Sequence, residues 1–474
     1  MKTTCYEPVI GLEIHAELLT ETKIFCSCKT TFGAPPNTLC CPVCLGLPGA
    51  LPTLNRRAVE LAVRAGLALD CSIAPLCRTD RKQYFYPDLP KAYQISQDPY
   101  PICHDGALTV GKGNSARRIG IRRIHIEEDA GKLIHEGGKT LVDCNRCGVP
   151  LIEIVTAPEL RSPEEAGAFL RTLRQILVTA GVSDCRMQEG SLRCDVNVSL
   201  RKAGEGDLGT RAEIKNINSF AFAEKAIAYE IERQEQILTS GGVLQAETRR
   251  YNAATGKTEP MRRKESADDY RYLSEPDLPS LILTEEEIAA IAKDLPELPR
   301  AAAERMVRVY GITEADAETL AADPALKRYF EDAAGASAYP VVLAGLLLTD
   351  LLRYAQSDPF ATEVDAVRLA EVADMMGAGE INSSTAKKLV ARLCQGDLEP
   401  RKTVADEGLL QIRDRERLLQ TVQKTLAENP KAVTDYKGGK HAALRALLGR
   451  AMAKTAGLAD PVMLERIFLD ELSR

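Results

Sequence analysis

The chain has 474 residues, 45% hydrophobic and 27% charged, with a formal net charge of -6. This length exceeds one ordinary core and points to two to four domains, and the balance of residue types excludes a disordered or fibrous chain. The acidic balance excludes a general basic coat, so a nucleic acid has to be met by local clusters of Lys and Arg.

No apolar run approaches the roughly 18 residues of a bilayer span. Met1-Lys2-Thr3-Thr4-Cys5 leads to Glu7 without a signal-peptide core, so a cytoplasmic protein with no membrane partner is expected. The first predicted strand, residues 9–18, alternates strictly. Glu13, His15 and Glu17 share one face, and Ile10, Leu12, Ile14 and Ala16 share the other.

Five of the 14 cysteines follow between Cys26 and Cys44. In a cytosolic chain such thiols serve as metal ligands, core residues or catalysts rather than disulfides. Cys26-Ser27-Cys28 and Cys41-Pro42-Val43-Cys44 supply two pairs for a tetrahedral zinc site, structural because four thiolates leave no position open to water. Cys40 is a competing thiol, and Cys144-Asn145-Arg146-Cys147 is an alternative pair. Reduced, partly buried thiols without metal are the plainer alternative.

A helix is predicted over 55–68. The stretch from Gly106 to Gly113 nearly spells a phosphate-binding loop, but Gly113 lacks the required hydroxyl and residues 107–110 read as a strand, so a hairpin turn is expected. The strand 119–127 carries His125 and Glu127 on one side and runs into Glu128-Asp129, and Glu153 stands alone in the apolar run 150–155. A helix over 162–180 opens on a capping box of Ser162 and Glu165. The strand 193–200 places Asp195 and Asn197 on one face. If these strands lie together, Glu13, His15, Glu127, Glu128 and Glu153 form an oxygen-rich nest suited to Mg²⁺ or Mn²⁺, which bridge phosphate oxygens in phosphoryl transfer. A solvated polar sheet face is the plainer alternative and the preferred reading for Glu17.

From Thr284 onward apolar residues recur at three and four, which predicts an all-helical region punctuated by Pro296, Pro299 and Pro324, with a break near 400–407. The predicted fold is α+β, with a strand-rich catalytic domain over 1–292, a helical domain over 293–405 and a small helical tail over 406–474. In the tail, Asp435-Tyr436-Lys437-Gly438-Gly439-Lys440-His441 makes a basic turn ahead of Arg445, Arg450 and Lys454, on a helix whose core stripe is Leu444, Leu447, Leu448 and Met452. It is read either as a surface for folded RNA or as a charged solvated helix. No GxSxG elbow and no serine–lysine amidase arrangement is present, so ammonia has to come from another chain.

Six segments together carry a resemblance. They are Val9-Ile10-Gly11-Leu12-Glu13-Ile14-His15, Asp80-Arg81-Lys82-Gln83-Tyr84-Phe85-Tyr86-Pro87-Asp88, Glu127-Glu128-Asp129-Ala130-Gly131-Lys132, Pro150-Leu151-Ile152-Glu153-Ile154-Val155, Glu189-Gly190-Ser191-Leu192-Arg193-Cys194-Asp195-Val196-Asn197 and Asp268-Asp269-Tyr270-Arg271-Tyr272. In order and spacing the chain resembles the GatB family, the B subunits of the Asp/Glu-tRNA amidotransferases, from near residue 7 to its end. The resemblance implies a cradle-like catalytic domain that uses ATP and Mg²⁺ to phosphorylate the side-chain carboxylate of Glu-tRNA(Gln) or Asp-tRNA(Asn). It implies ammonia delivered through an internal channel from a separate amidase, the A subunit, and a small C subunit that makes the assembly a heterotrimer.

Carried over, the metal positions are Glu13, His15, Glu127, Glu128 and Glu153, and the zinc ligands are Cys26, Cys28, Cys41 and Cys44; some family members lack these cysteines. Cys144 and Cys147 stand where the family commonly has Tyr and Ala, and Leu273-Ser274 where Phe-Pro is frequent. Two acidic reactants need basic groups beside the metal, and Lys82, Lys91, Arg81, Arg193 and Lys215 lie in or beside the matched segments; for Arg81 and Lys215 a surface ion pair is the preferred reading. Lys82 and Lys91 alternatively line the ammonia path. Asp195 joins the catalytic group, Asn197 joins Arg193 and Lys215 as nucleotide contacts, and Lys437, Lys440 and Arg445 face tRNA. The rivals are a non-catalytic tRNA scaffold and a free-standing amide ligase.

Overall fold

A computed structural model describes residues 6–263, 270–355, 359–396 and 398–473. Residues 1–5, Asp268 and Asp269 of the last matched segment, and the C-terminal Arg474 lie outside the described residues. The chain divides into two compact units, Met1–Leu298 and Pro299–Arg474. The fold is α+β: a sheet-rich first unit and a helical second one.

The first unit is built on a nine-stranded sheet. Its strands are β1 (Tyr6–Glu17), β2 (Ser72–Ile73), β3 (Cys103–Val110), β4 (Arg117–Glu128), β5 (Pro150–Thr156), β6 (Leu192–Lys202), β7 (Ala212–Ile217), β8 (Glu247–Asn252) and β9 (Lys257–Arg263), in the order β9-β8-β7-β6-β1-β5-β4-β3-β2. Every pairing is antiparallel except β7 with β8. Strand β1 sits in the middle, and its alternation sorts the sheet. Ile10, Leu12, Ile14 and Ala16 are buried in one core with residues of α1 (Arg56–Ala68), α2 (Pro163–Thr179) and α3 (Phe220–Thr239). The other face is left to Glu13 and His15.

Local signals explain the element ends. Asn55 caps α1 by accepting from the Arg57 amide. Ser162 caps α2 by accepting from the Glu165 amide, but the expected box is only half formed. The Glu165 carboxylate takes the Arg161 amide (2.8 Å) and the Arg117 guanidinium (2.7 Å), because a cation on the neighbouring strand outcompetes the cap amide. Strands β3 and β4 form an antiparallel hairpin, so the near phosphate-binding segment is their turn. At Gly111 (φ +79°) a Cβ would sit 2.5 Å from the Ser115 carbonyl oxygen, which requires glycine there. A small sheet joins Asp80–Gln83 to Tyr93–Ser96 and Leu273–Ser274.

The second unit holds two buried apolar clusters, one drawn from residues between Ala302 and Val404, the other from residues between Leu418 and Leu472. Residues 400–407, expected as a break, instead form a helix, Pro400–Asp406. Proline stands at its first position, where its missing N–H costs nothing. The helix ends at Gly408 (φ +64°), and Ile412 then donates its amide to the Leu458 carbonyl at 2.7 Å. No helix among the described residues is long and apolar enough to cross a membrane.

One buried ionic network ties α3 to the sheet edge. Glu230, 0% exposed, accepts from Arg233 (2.6 Å), Gln234 (2.9 Å) and Thr258 (2.9 Å), with Arg249 at 3.4 Å. Removing one partner of a buried pair leaves the others uncompensated, so Glu230→Ala is expected to cost about 3–5 kcal/mol. A shift of the urea midpoint for the first unit measures it; an unchanged midpoint would show the network to be stabilising nothing.

Candidate functional site

The polar face gathers two acidic clusters. Register brings His15 opposite Glu153 on β5, and Glu153 opposite His125 on β4, with Glu127 two residues further along the same face. His15 Nε2 lies 3.3 Å from Glu127 Oε1 and 3.3 Å from Glu153 Oε2. His125 Nε2 lies 3.6 Å and 3.5 Å from the same two carboxylates, and its Nδ1 is buried without a hydrogen-bond partner. Burial opposes a charge on His15, yet the Glu127 and Glu153 carboxylates raise it to about 10. Burial likewise works against ionised Glu127 and Glu153, and the two imidazoles hold both below the usual carboxylate range, Glu127 the further. Two buried carboxylates therefore survive here only with positive charge between them.

The second cluster lies beside the first, because Glu13 and His15 are neighbours on one face of β1, about 6.7 Å apart along the strand. Glu13 pairs with Asp195 on β6, and Asn197 pairs with Glu213 on β7. Glu13 Oε1 accepts from Asn197 Nδ2 at 2.9 Å, leaving Asn197 Oδ1 buried without a donor. Lys215 Nζ lies 2.6 Å from Asp195 Oδ2 and 3.2 Å from Glu213 Oε1; burial lowers its affinity for a proton, but those carboxylates raise it more.

Within the first cluster one atom each from His15, Glu127 and Glu153 lie within 4.8 Å of one another, and within the second so do one each from Glu13, Asp195 and Glu213. Three carboxylates against one ammonium, with an orphaned amide oxygen, fit a hard divalent cation in the second cluster; carboxylates with imidazole fit one in the first.

The single expected nest is therefore two, and Glu128 is in neither. Glu128 follows Glu127 by one residue, so strand alternation turns it off that face. Its Oε1 instead binds Lys91 Nζ and accepts from the Ile95 amide at 2.8 Å. Lys82 does face the first cluster. Burial disfavours its charge, but Glu127, Tyr272 and Glu153 raise its pKa, and its Nζ lies 4.9 Å from the centroid of the Tyr270 ring. Arg193 lies opposite His15 and is anchored by Asp129 at 2.8 Å, its Nε buried without a partner. Lys215 joins a cluster rather than the bulk surface. Arg81 is a clasp, forked onto Glu275 at 2.8 and 2.9 Å. Glu17, expected as solvated, is half-buried, and burial together with the charge of Asp129 pushes it up to about 7.

Beyond β1 the cysteines converge. Sγ atoms of Cys26, Cys28, Cys41 and Cys44 all lie within 4.8 Å of one another, with Cys41 and Cys44 3.9 Å apart. A Zn–S bond near 2.3 Å gives a tetrahedral S···S edge of about 3.8 Å, so the donor set fits Zn²⁺. Every described cysteine is a free thiol. Cys40 and the Cys144–Cys147 pair stand outside the set. In the tail, Lys437 ends Pro430–Lys437, Arg445 is exposed on Ala442–Lys454, and Lys440 pairs with Asp435 at 2.8 Å. Leu447 is buried beneath, with Leu444, Leu448 and Met452 packed around it.

Alternation could have flagged Glu213, since Glu213 and Lys215 flank Ile214 in a short strand. Nothing local flagged Lys23, which the structure places 3.5 Å from Cys44 Sγ.

The family model described as the GatB/GatE catalytic domain matches residues 8–289, and that of the GatB domain matches residues 328–472. A protein of Caldanaerobacter subterraneus subsp. tengcongensis, named as the B subunit of aspartyl/glutamyl-tRNA(Asn/Gln) amidotransferase, is 49% identical over 99% of this chain and 100% of its own. Proteins of the same name from Caldicellulosiruptor saccharolyticus and Clostridium botulinum are 47% and 46% identical, each over 99% of both chains.

Two clusters built on separate strands should bind divalent ions separately. Titration with Mn²⁺, followed by paramagnetic resonance, is expected to count two sites. Glu153→Gln should remove one and Asp195→Asn the other. A wild-type count of zero would leave both clusters as salt-bridged surface.

Proposed function

Because the chain belongs to the GatB/GatE family, we propose that its paired carboxylate clusters are the phosphoryl-transfer site of a tRNA-dependent amidotransferase. It is the B subunit of that glutamine-hydrolysing ligase, and its substrates on this reading are Glu-tRNA(Gln), Asp-tRNA(Asn) or both, with ATP. One observation carries the reading: two half-buried acidic clusters share one sheet face, with Lys82, Arg193 and Lys215 around them.

A carboxylate is a poor electrophile, since its charge is delocalised and it has no good leaving group. Phosphorylation supplies one, and the acyl phosphate then yields to ammonia. His15, Glu127 and Glu153, and separately Glu13, Asp195 and Glu213, would hold divalent ions, which when bound would supply neutralisation of the phosphate chain's charge. The protein's own cations complete the work. Lys82 is kept charged beside Glu127 and Glu153, within reach of a phosphate at the first cluster. Asp129 fixes Arg193, so its guanidinium needs little reordering to bind an anion. Lys215 and Asn197 serve the second cluster, where a phosphate oxygen can replace a carboxylate as the ammonium's partner.

On this reading the Lys91–Glu128 pair, off that face, lines the route of ammonia delivered by the amidase, the A subunit, in an assembly with a small C subunit. Such a pair offers ammonia both a donor and an acceptor. The four-cysteine centre holds a structural zinc. The tail meets tRNA through Lys437, Lys440 and Arg445, by charge rather than base reading.

The decisive experiment incubates the assembled enzyme with γ-labelled ATP and Glu-tRNA or Asp-tRNA, without an ammonia source. Label should appear on the esterified amino acid, and Glu153→Gln or Lys82→Ala should cut its rate at least 100-fold while tRNA affinity stays within a factor of about three. Label transfer by neither wild type nor variant would favour the scaffold reading. Replacing Lys437, Lys440 and Arg445 by Ala should weaken tRNA binding and flatten its salt dependence, by about one unit of log–log slope per lost phosphate contact. An unaltered slope would move the RNA surface elsewhere.

A further inference from the structure

Among the described residues, Lys23 is the one lysine among the largest fully buried side chains, at 0% exposure. Its Nζ donates to Cys44 Sγ at 3.5 Å and to the Cys144 carbonyl at 3.2 Å. Its own backbone amide donates to the Cys28 carbonyl at 2.9 Å. One residue thus fastens the backbone of the first cysteine pair and reaches a sulfur of the second.

Burying an ammonium costs several kcal/mol unless an anion compensates it. Four neutral thiols supply no anion, whereas Zn²⁺ with four thiolates carries two negative charges in excess. Glu128, which lies near the same Gly148 turn as the Lys23 stem, already binds Lys91. We infer that Lys23 is the built-in counter-cation of the four-cysteine centre, a positioning residue that lowers the thiolates' excess charge and their nucleophilicity through an N–H···S bond. Its second hydrogen bond, to Cys144, ties the centre to the loop that leads into β5. That loop is otherwise held by Asn145, whose Oδ1 accepts from the Leu39 amide at 2.8 Å and whose Nδ2 donates to the Pro35 carbonyl at 2.7 Å.

The inference rests on the zinc reading, and the test separates the two. The intact enzyme is prepared as wild type and with Lys23→Met, Lys23→Gln and Lys23→Arg. Met keeps the volume without the charge, Gln keeps a donor without the charge, and Arg keeps the charge. Zinc content comes first, then zinc affinity by chelator competition, the rate of zinc release under a thiol alkylator, and the sulfur-to-metal charge-transfer band after Co²⁺ replacement.

Lys23→Met and Lys23→Gln should hold zinc about 10- to 100-fold more weakly, the scale of such supporting contacts, release it faster under alkylation and shift the band. Lys23→Arg should stay nearer wild type. Wild-type protein that carries zinc while all three variants match it in affinity, alkylation rate and band would overturn the assignment of Lys23 alone. Wild-type protein without zinc would overturn the four-cysteine reading and the Lys23 assignment with it. If Lys23→Met fails to fold, Lys23→Gln decides, since its polar head can keep the Cys144 carbonyl bond.

Discussion

Strand β1 imposes the constraint on which the first unit depends. Its alternate residues face incompatible surroundings: Ile10, Leu12, Ile14 and Ala16 are sealed under helices, while Glu13 and His15 face the ionic clusters. A slip of one residue against either neighbour would drive Glu13 and His15 into the apolar core and expose two isoleucines and a leucine. Burial of each such side chain is worth about 1.5–3 kcal/mol, and an uncompensated buried carboxylate costs more. The same alternation that builds the core therefore fixes which carboxylates can meet. Stability and site geometry are one register, and neither can drift without the other.

Much of this was legible from the chain because alternation is a local signal. The faces of β1, β4 and β6 and the isolated Glu153 could be read residue by residue, as could the two cysteine pairs and the capped start of α2. Pairing is not local. Only the strand order β6-β1-β5-β4 shows that His15 meets Glu153 and His125, whereas Glu13 meets Asp195 and, through β7, Glu213. One nest became two for that reason. Glu128 was misplaced for the opposite reason. Strand parity alone separates it from Glu127, but two adjacent acids at a strand end read as a single acidic patch. Lys23 was illegible altogether, since a lysine just after a strand is ordinarily solvated and its burial depends on Cys44 and Cys144, far along the chain.

The cysteine loop is more than a distant staple, because contacts connect it to residues of the site. At Gly46, in the turn just after Cys44, a Cβ would lie 2.6 Å from Lys91 Cγ and 2.9 Å from its Cα, so the loop backbone rests directly on the residue that pairs with Glu128. Gly131 also packs closely, with its amide on the Asp88 carbonyl at 2.8 Å and a Cβ there 3.0 Å from Cys147 Sγ. The loop that follows Cys44 thus lies in direct contact with Lys91. A looser loop would move the ammonium, leaving the two acidic clusters where the sheet puts them.

On the proposed function an acidic chain handles two polyanions, and local charge accounts for it. The net charge of -6 is a sum over the whole surface, but binding is decided within a Debye length of about 8–10 Å. In the first unit most acidic groups near the clusters are already matched: Asp129 by Arg193 and Arg146, Asp195 by Lys215, Glu128 by Lys91. On the proposed function, a phosphate arriving there would meet cations already positioned by these carboxylates. In the tail the balance differs. Lys440 is held by Asp435 in an exposed, solvent-screened pair, a small obstacle to an RNA phosphate carrying the same single charge. Affinity there should fall as salt rises, while affinity at the half-buried clusters should depend far more on divalent ions.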